Sequence, residues 1–217
     1  MEGRPPLLIP PPPGPVLRAA RGLARGLVRL GFRVTLDGLE NLPTGRAYVL
    51  AGNHVSLLDG PLIALLAPQP TVLMVAAEWA RNPLARPLLR LSDGVIGVRR
   101  GEQDEQAVAE GLALLQSGRR VVLAPEGRVT RSGGLQRGRP GVVRLASAAG
   151  VPVVPLGWYG QARPQDRWLR LRRAELHLRF GAPLHLDPDR PEEESLETVM
   201  RAIASLLPAP LRGVYAS

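Results

Sequence analysis

The chain contains neither cysteine nor lysine in 217 residues. The first absence excludes disulfides, thiolate metal sites and cysteine nucleophiles. The second excludes Schiff-base chemistry and the lysine of a phosphate-binding loop. It also makes all 28 basic residues arginine. No apolar run reaches the roughly 18 residues that a membrane-spanning helix requires. Near the N-terminus, Leu7-Leu8-Ile9 runs straight into Pro10 to Pro13, unlike a secretory signal. There is no Gly-x-Ser-x-Gly elbow to present a serine nucleophile. Three scattered histidines without cysteine argue against zinc, and no metal or other cofactor is expected.

What is present is a chain of one-domain length, 45% hydrophobic, with a net charge of +9. The charge suits an anionic partner: nucleic acid, a phospholipid surface or a phosphorylated substrate. Genome composition explains the arginine bias equally well. Residues 1–15 are proline-rich. Residues 16–31 read as a helix with Arg18, Arg21, Arg25 and Arg29 on one face and Leu17, Ala20, Leu23, Leu27 and Leu30 broadly opposite. Two placements are open for it. It lies in a lipid interface with its arginines toward anionic headgroups, or it packs its apolar face on the domain and leaves the arginines in water. Beyond residue 33, strand-like runs (47–51, 71–76, 94–98, 120–124, 152–157, 174–180) alternate with helix-like runs (59–66, 83–91, 103–117, 139–149, 192–206). The expected fold is a single α/β domain over 34–217, with a mostly parallel sheet flanked by helices. The segment Ala174 to Phe180 alternates apolar and polar residues, as an edge or half-buried strand does. Residues 1–33 form the proline-rich segment and the amphipathic helix.

Four segments offer chemistry. In Asn53-His54-Val55-Ser56-Leu57-Leu58-Asp59, histidine and aspartate are five apart. On one helix they would point about 140° away from each other. They meet only if His54 lies in the turn before a helix and Asp59 in its first turn. Ser56 with Asp59 three residues later resembles a capping box and supports that geometry. A carboxylate-held imidazole can take a proton from a hydroxyl; a merely capping Asp59 fits the spacing too. Leu123-Ala124-Pro125-Glu126-Gly127-Arg128 places an acid after an apolar strand. Gly94 to Arg100 is a short strand closing on two arginines that face opposite ways, so that one can grip phosphate. Val151 to Gly157 is a strand punctuated by prolines.

In this order the four segments resemble the motif blocks of the glycerolipid acyltransferases, most closely the 1-acylglycerol-3-phosphate type. His-x4-Asp is matched at His54 and Asp59, and Gly-x-Ile-x-x-x-Arg at Gly94, Ile96 and Arg100. Pro-Glu-Gly is matched at Pro125 to Gly127, and Val-Pro-Val-Val-Pro at Val151 to Pro155. The resemblance covers about residues 34–184. It departs after the third block, where Gly-Arg-Val-Thr replaces the usual Gly-Thr-Arg-Ser. That form resembles enzymes acting on lysophospholipids with larger heads. The family's basic-x-Gly appears as Arg139-Pro140-Gly141.

The resemblance implies acyl transfer from acyl-CoA or acyl-carrier protein to the sn-2 hydroxyl of 1-acylglycerol-3-phosphate, giving phosphatidate. His54 is the expected general base, and Asp59 holds its tautomer. Arg100, Glu126, Gly127, Arg128 and Arg131 are the expected acceptor-binding residues. Backbone N–H groups near the His54 turn are candidates for the oxyanion. The expected location is the cytoplasmic face of the cell membrane, peripheral or monotopic, on an anionic surface, with no nucleic acid bound. Two alternatives stand beside this. One is another lysophospholipid or lipid acceptor. The other is a non-catalytic module binding anionic membrane or nucleic acid, supported by the arginine-rich segment 163–173 around Trp168.

Overall fold

The computed structural model describes residues 14–56, 59–67, 71–99, 104–130, 133–161 and 164–216. Seven strands form one sheet: β1 (Phe32–Asp37), β2 (Val49–Gly52), β3 (Thr71–Ala76), β4 (Val95–Val98), β5 (Arg120–Leu123), β6 (Val153–Tyr159) and β7 (Ala174–Phe180). Their order across the sheet is β1-β7-β6-β2-β5-β3-β4. Every neighbouring pair is parallel except β6 with β7. The expected mostly parallel α/β domain is therefore present.

Alternation along the strands divides the core in two. In β2, Leu50 enters one apolar layer, while Val49 and Ala51 enter the other. The first layer is covered by α1 (Pro15–Gly31), α2 (Asp59–Leu66), α3 (Ala77–Arg81) and α4 (Arg86–Leu89). The second is covered by α5 (Glu105–Gln116), α6 (Gly141–Ala149) and α8 (Glu192–Ser205). A short helix, α7 (Gln165–Trp168), lies before β7. Strands buried on both faces read as continuous apolar runs, which is why β2, β5 and β6 stand out in the sequence.

Two readings are sharpened by the structure. β7 buries one face as its alternation suggests, but it is not the edge. β1 pairs outside it, from Phe32↔Ala174 to Asp37↔Arg179. β1 lacks a strand signal because it carries Arg33 and Asp37 and follows α1 without a turn, so the boundary expected after residue 33 falls inside it. The second concerns α1. It does not pack through its leucine face alone: the side that meets the domain is a seam of Leu17, Arg21, Ala24, Arg25 and Val28, while Arg18 and Arg29 are exposed. Arg21 is buried and donates to the Ser92 carbonyl at 2.7 Å and to Asp93 at 3.0 Å. Arg25 Nε donates to the Leu65 carbonyl at 2.8 Å, one of the carbonyls left open at the end of α2. The rim of the domain offers acceptors there, which arginine can satisfy and leucine cannot. Leu23, Leu27 and Leu30 are left 60–68% exposed on the outer face.

Candidate active site

The C-terminal ends of parallel strands are where open α/β sheets build their sites. Four such ends converge here. His54 follows β2, Arg99 follows β4, Glu126 follows β5 and Gln161 follows β6.

The turn after β2 is fixed at every backbone group that the site requires. The Asn53 amide pairs with the Trp158 backbone in both directions, at 2.9 Å each way, and its carbonyl accepts from the Trp158 indole at 3.0 Å. The His54 N–H donates to Glu126 at 2.7 Å, and the His54 carbonyl accepts from the Thr130 N–H at 2.8 Å. The imidazole Nδ1 lies 2.6 Å from Asp59 Oδ2. The same oxygen accepts the N–H groups of Val55 (2.9 Å) and Ser56 (3.1 Å). Asp59 thus reaches back over the start of α2 as the capping-box spacing requires, and holds the ring as it does so. With Nδ1 bound to a carboxylate as donor, Nε2 keeps its lone pair for a proton.

Several contacts depart from the sequence-based expectation. Glu126, expected at the acceptor, is only 2% exposed. One carboxylate oxygen takes the His54 N–H and the other the Gln136 N–H at 2.8 Å. Burial raises its carboxyl above the ordinary range, and these two N–H groups oppose that rise. The backbone N–H groups of His54, Val55 and Ser56, the expected oxyanion donors, are already engaged by Glu126 and Asp59. Arg128 is exposed and Gly127 turns with a left-handed φ of 67°. Arg100 and Arg131 lie outside the described residues.

One residue of the site, Gln161, carries no sequence signal, and a second, Arg139, carries only a weak one. Gln161 is fully buried and donates its amide N–H to Asp59 Oδ1 at 3.1 Å, so the second carboxylate oxygen is held as well. Gly160 directs it there at φ 102°, where a Cβ would lie 2.1 Å from the Glu175 carbonyl oxygen. No motif or spacing marks a glutamine 102 positions away. Arg139 was legible only as a basic-x-Gly match. Its stem lies over Gly127, and its N–H donates to the Pro125 carbonyl at 2.9 Å.

A cavity of about 1010 Å³ opens beside the pair. Its polar part is lined by His54, Arg99, Arg139 and Arg144 together with Asp59, Asp104 and Glu105, with Arg99 3.7 Å from Asp104, and Ile63, Met74, Trp79, Leu84 and Leu88 line an apolar part. The chamber has room for a long apolar chain, and it holds a proton acceptor and arginines that can meet an anionic group. Among the described residues no cluster of histidine and acidic side chains is arranged to hold a metal ion.

Residues 33–159 match the family model described as Acyltransferase. The chain is 26% identical over 131 residues to a 1-acyl-sn-glycerol-3-phosphate acyltransferase of Borreliella burgdorferi, covering 59% of this chain and 52% of that one. It is 33% identical over 135 residues to a lyso-ornithine lipid O-acyltransferase of Pseudomonas aeruginosa, covering 62% and 50% respectively. The chain thus spans about half the length of these relatives. The fold resembles the crystal structure of the 1-acyl-sn-glycerophosphate acyltransferase PlsC from Thermotoga maritima, with a TM-score of 0.65 at 23% identity, over 88% of this chain and 79% of that one.

Proposed function

The chain belongs to the acyltransferase family, and from that premise we propose that it transfers an acyl group from a thioester to the sn-2 hydroxyl of 1-acylglycerol-3-phosphate. The observation that carries this reading is the His54–Asp59 pair, 2.6 Å apart, facing a cavity with an apolar part and a polar part that holds arginines. In this mechanism His54 Nε2 takes the proton as the acceptor oxygen attacks the thioester carbonyl. The new C–O bond forms, the C–S bond breaks, and the imidazolium returns the proton to the departing thiolate. Asp59 stabilises the imidazolium while Gln161 and two backbone N–H groups hold Asp59 in place. No enzyme nucleophile is required, because a thioester is already activated. General-base assistance of this kind contributes roughly 10²–10⁴-fold.

Arg139 and Arg99 are assigned to the acceptor phosphate, with Arg100, Arg128, Gly127 and Arg131 as further contacts that the motifs suggest. Glu126 is assigned to shaping the His54 turn instead of touching substrate. The acyl chain occupies the side of the cavity lined by Trp79, Leu84 and Leu88. The donor is acyl-CoA or acyl-carrier protein. No described helix is long and apolar enough to cross a membrane. The leucine face of α1 supports peripheral docking on the bilayer that holds the acceptor.

The test is thiol release from acyl-CoA and from acyl-carrier protein with 1-acylglycerol-3-phosphate present. His54→Ala is expected to lose at least about a hundredfold in kcat. Full turnover in that variant would overturn the mechanism. A second acceptor class is favoured by the Gly127-Arg128-Val129-Thr130 sequence and by the 33% identical relative named for lyso-ornithine lipid. Adding that lysolipid to the acceptor panel separates the two: the true acceptor gives the higher kcat/KM with the same donor.

A further inference from the structure

The arginine-rich segment around Trp168 lies outside the cavity and beyond the residues that match the family model. It is built as a protrusion. α7 is closed at its C-terminal end by Arg172 N–H to the Arg167 carbonyl (3.0 Å) and Leu171 N–H to the Trp168 carbonyl (2.9 Å). This is the Schellman arrangement, which needs one residue in the left-handed region and usually takes glycine. Here Leu171 fills that place at φ 52°, the one non-glycine residue with positive φ among those described. A leucine enters that region only against steric strain. No burial offsets it, since Leu171 is 98% exposed and Leu169 is 85% exposed.

The surroundings are cationic. Residues 165–173 carry Arg167, Arg170, Arg172 and Arg173 against one acid, Asp166, and all are exposed. Arg167 lies 3.6 Å from Glu175, while Arg170, Arg172 and Arg173 surround the two leucines in sequence. The base of the protrusion is fastened. The Trp168 indole donates to the Gly31 carbonyl at 2.8 Å and packs edge-on to Phe32, with ring centres 5.4 Å apart. Gly31 is the last residue of α1, so the protrusion abuts the end of the exposed Leu23, Leu27 and Leu30 stripe.

We propose that Gln165–Arg173 is a lipid-inserting wedge that continues the α1 stripe onto an anionic bilayer. Leu169 and Leu171 enter the acyl boundary, and Arg170, Arg172 and Arg173 meet headgroup phosphates. The proposal rests on the reading that the acceptor is a membrane lipid. Apolar tips ringed by arginine, with a tryptophan at their base, match the chemistry of that interface. Nucleic acid would use the arginines but gain nothing from two projecting leucines.

The test uses the full chain and vesicles of phosphatidylcholine with or without phosphatidylglycerol, read by sedimentation. Leu171→Gly is expected to melt at a higher temperature, because glycine relieves the left-handed strain, yet to partition less onto vesicles. Leu169→Asn with Leu171→Asn, which leaves the charge unchanged, is expected to reduce partition about tenfold or more at low and high salt alike. Replacing Arg170, Arg172 and Arg173 with glutamine is expected to weaken binding only to the anionic vesicles and to flatten its salt dependence. Wild-type partition in both leucine variants overturns the proposal. So does loss confined to the arginine variant together with displacement of vesicles by duplex DNA. Partition is measured without turnover, so an inactive wild-type chain that still binds through the wedge would overturn the enzymatic reading alone.

Discussion

His54 and Asp59 are five positions apart and meet because each sits on the correct side of a helix start. Spacing and capping chemistry were enough to make that geometry legible. The rest of the residue-level machinery was not. Glu126 is marked by a motif, but its job depends on burial, which a tripeptide does not reveal. Gln161 is marked by nothing, because its contact with Asp59 arises where β6 lies beside β2 in the sheet. Its role can be separated from packing. Gln161→Leu removes the donor to Asp59 Oδ1 and is expected to lower kcat about tenfold with KM unchanged, the scale of a hydrogen bond to a charged group. Gln161→Glu places a second carboxylate against Asp59 and close to the imidazole. Added negative charge favours the protonated ring, so the ascending limb of kcat/KM against pH is expected to move to higher pH by about a unit. An unmoved limb with kcat intact in both variants would reduce Gln161 to a space-filler.

At the scale of elements, α1 shows where amphipathic pattern alone stops. The pattern gives two faces, but the side that meets the domain lies between them and takes Leu17, Arg21, Ala24, Arg25 and Val28. The usual assumption sends leucine inward. Here the neighbouring surface is a rim of acceptors, the Ser92 and Leu65 carbonyls and Asp93 Oδ1, and Arg21 and Arg25 donate to them. Asp93 also accepts the Thr71 N–H at 3.0 Å, so the contact reaches the start of β3. Arg21→Met is therefore expected to cost about 3 kcal/mol of unfolding free energy in urea, because it strands a largely buried carboxylate. Leu23→Asp with Leu27→Asp is expected to leave stability within about 0.5 kcal/mol of wild type and to abolish flotation with anionic liposomes. If the leucine variant unfolds and the arginine variant does not, α1 packs the other way round.

For the molecule as a whole, the sheet order matters more than any one motif, since it brings the ends of β2, β4, β5 and β6 around one cavity. The alternation of strands and helices makes the fold class legible, but strand order is a tertiary property that no local pattern encodes. Glu126 lies at the join. Its two oxygens link the His54 turn after β2 to the Gln136 segment after β5, so its ionisation affects the stability of the whole fold. Burial raises its carboxyl above the ordinary 4.5. In the window between that value and the folded one, the native chain keeps a proton that the unfolded chain has released. Stability from this group is thus fully present below pH 4.5, declines as pH rises through the window, and is lost above the folded value. Glutamine does not titrate. The difference in unfolding free energy between wild type and Glu126→Gln is expected to shrink as pH rises above the ordinary 4.5 and to level off above the folded value. The variant also turns an amide N–H₂ toward one of the two backbone N–H donors, so turnover is expected to fall even though His54 and Asp59 are untouched. A difference that grows with pH would mean that the two N–H groups outweigh burial, and that the ionised carboxylate is what locks the His54 turn.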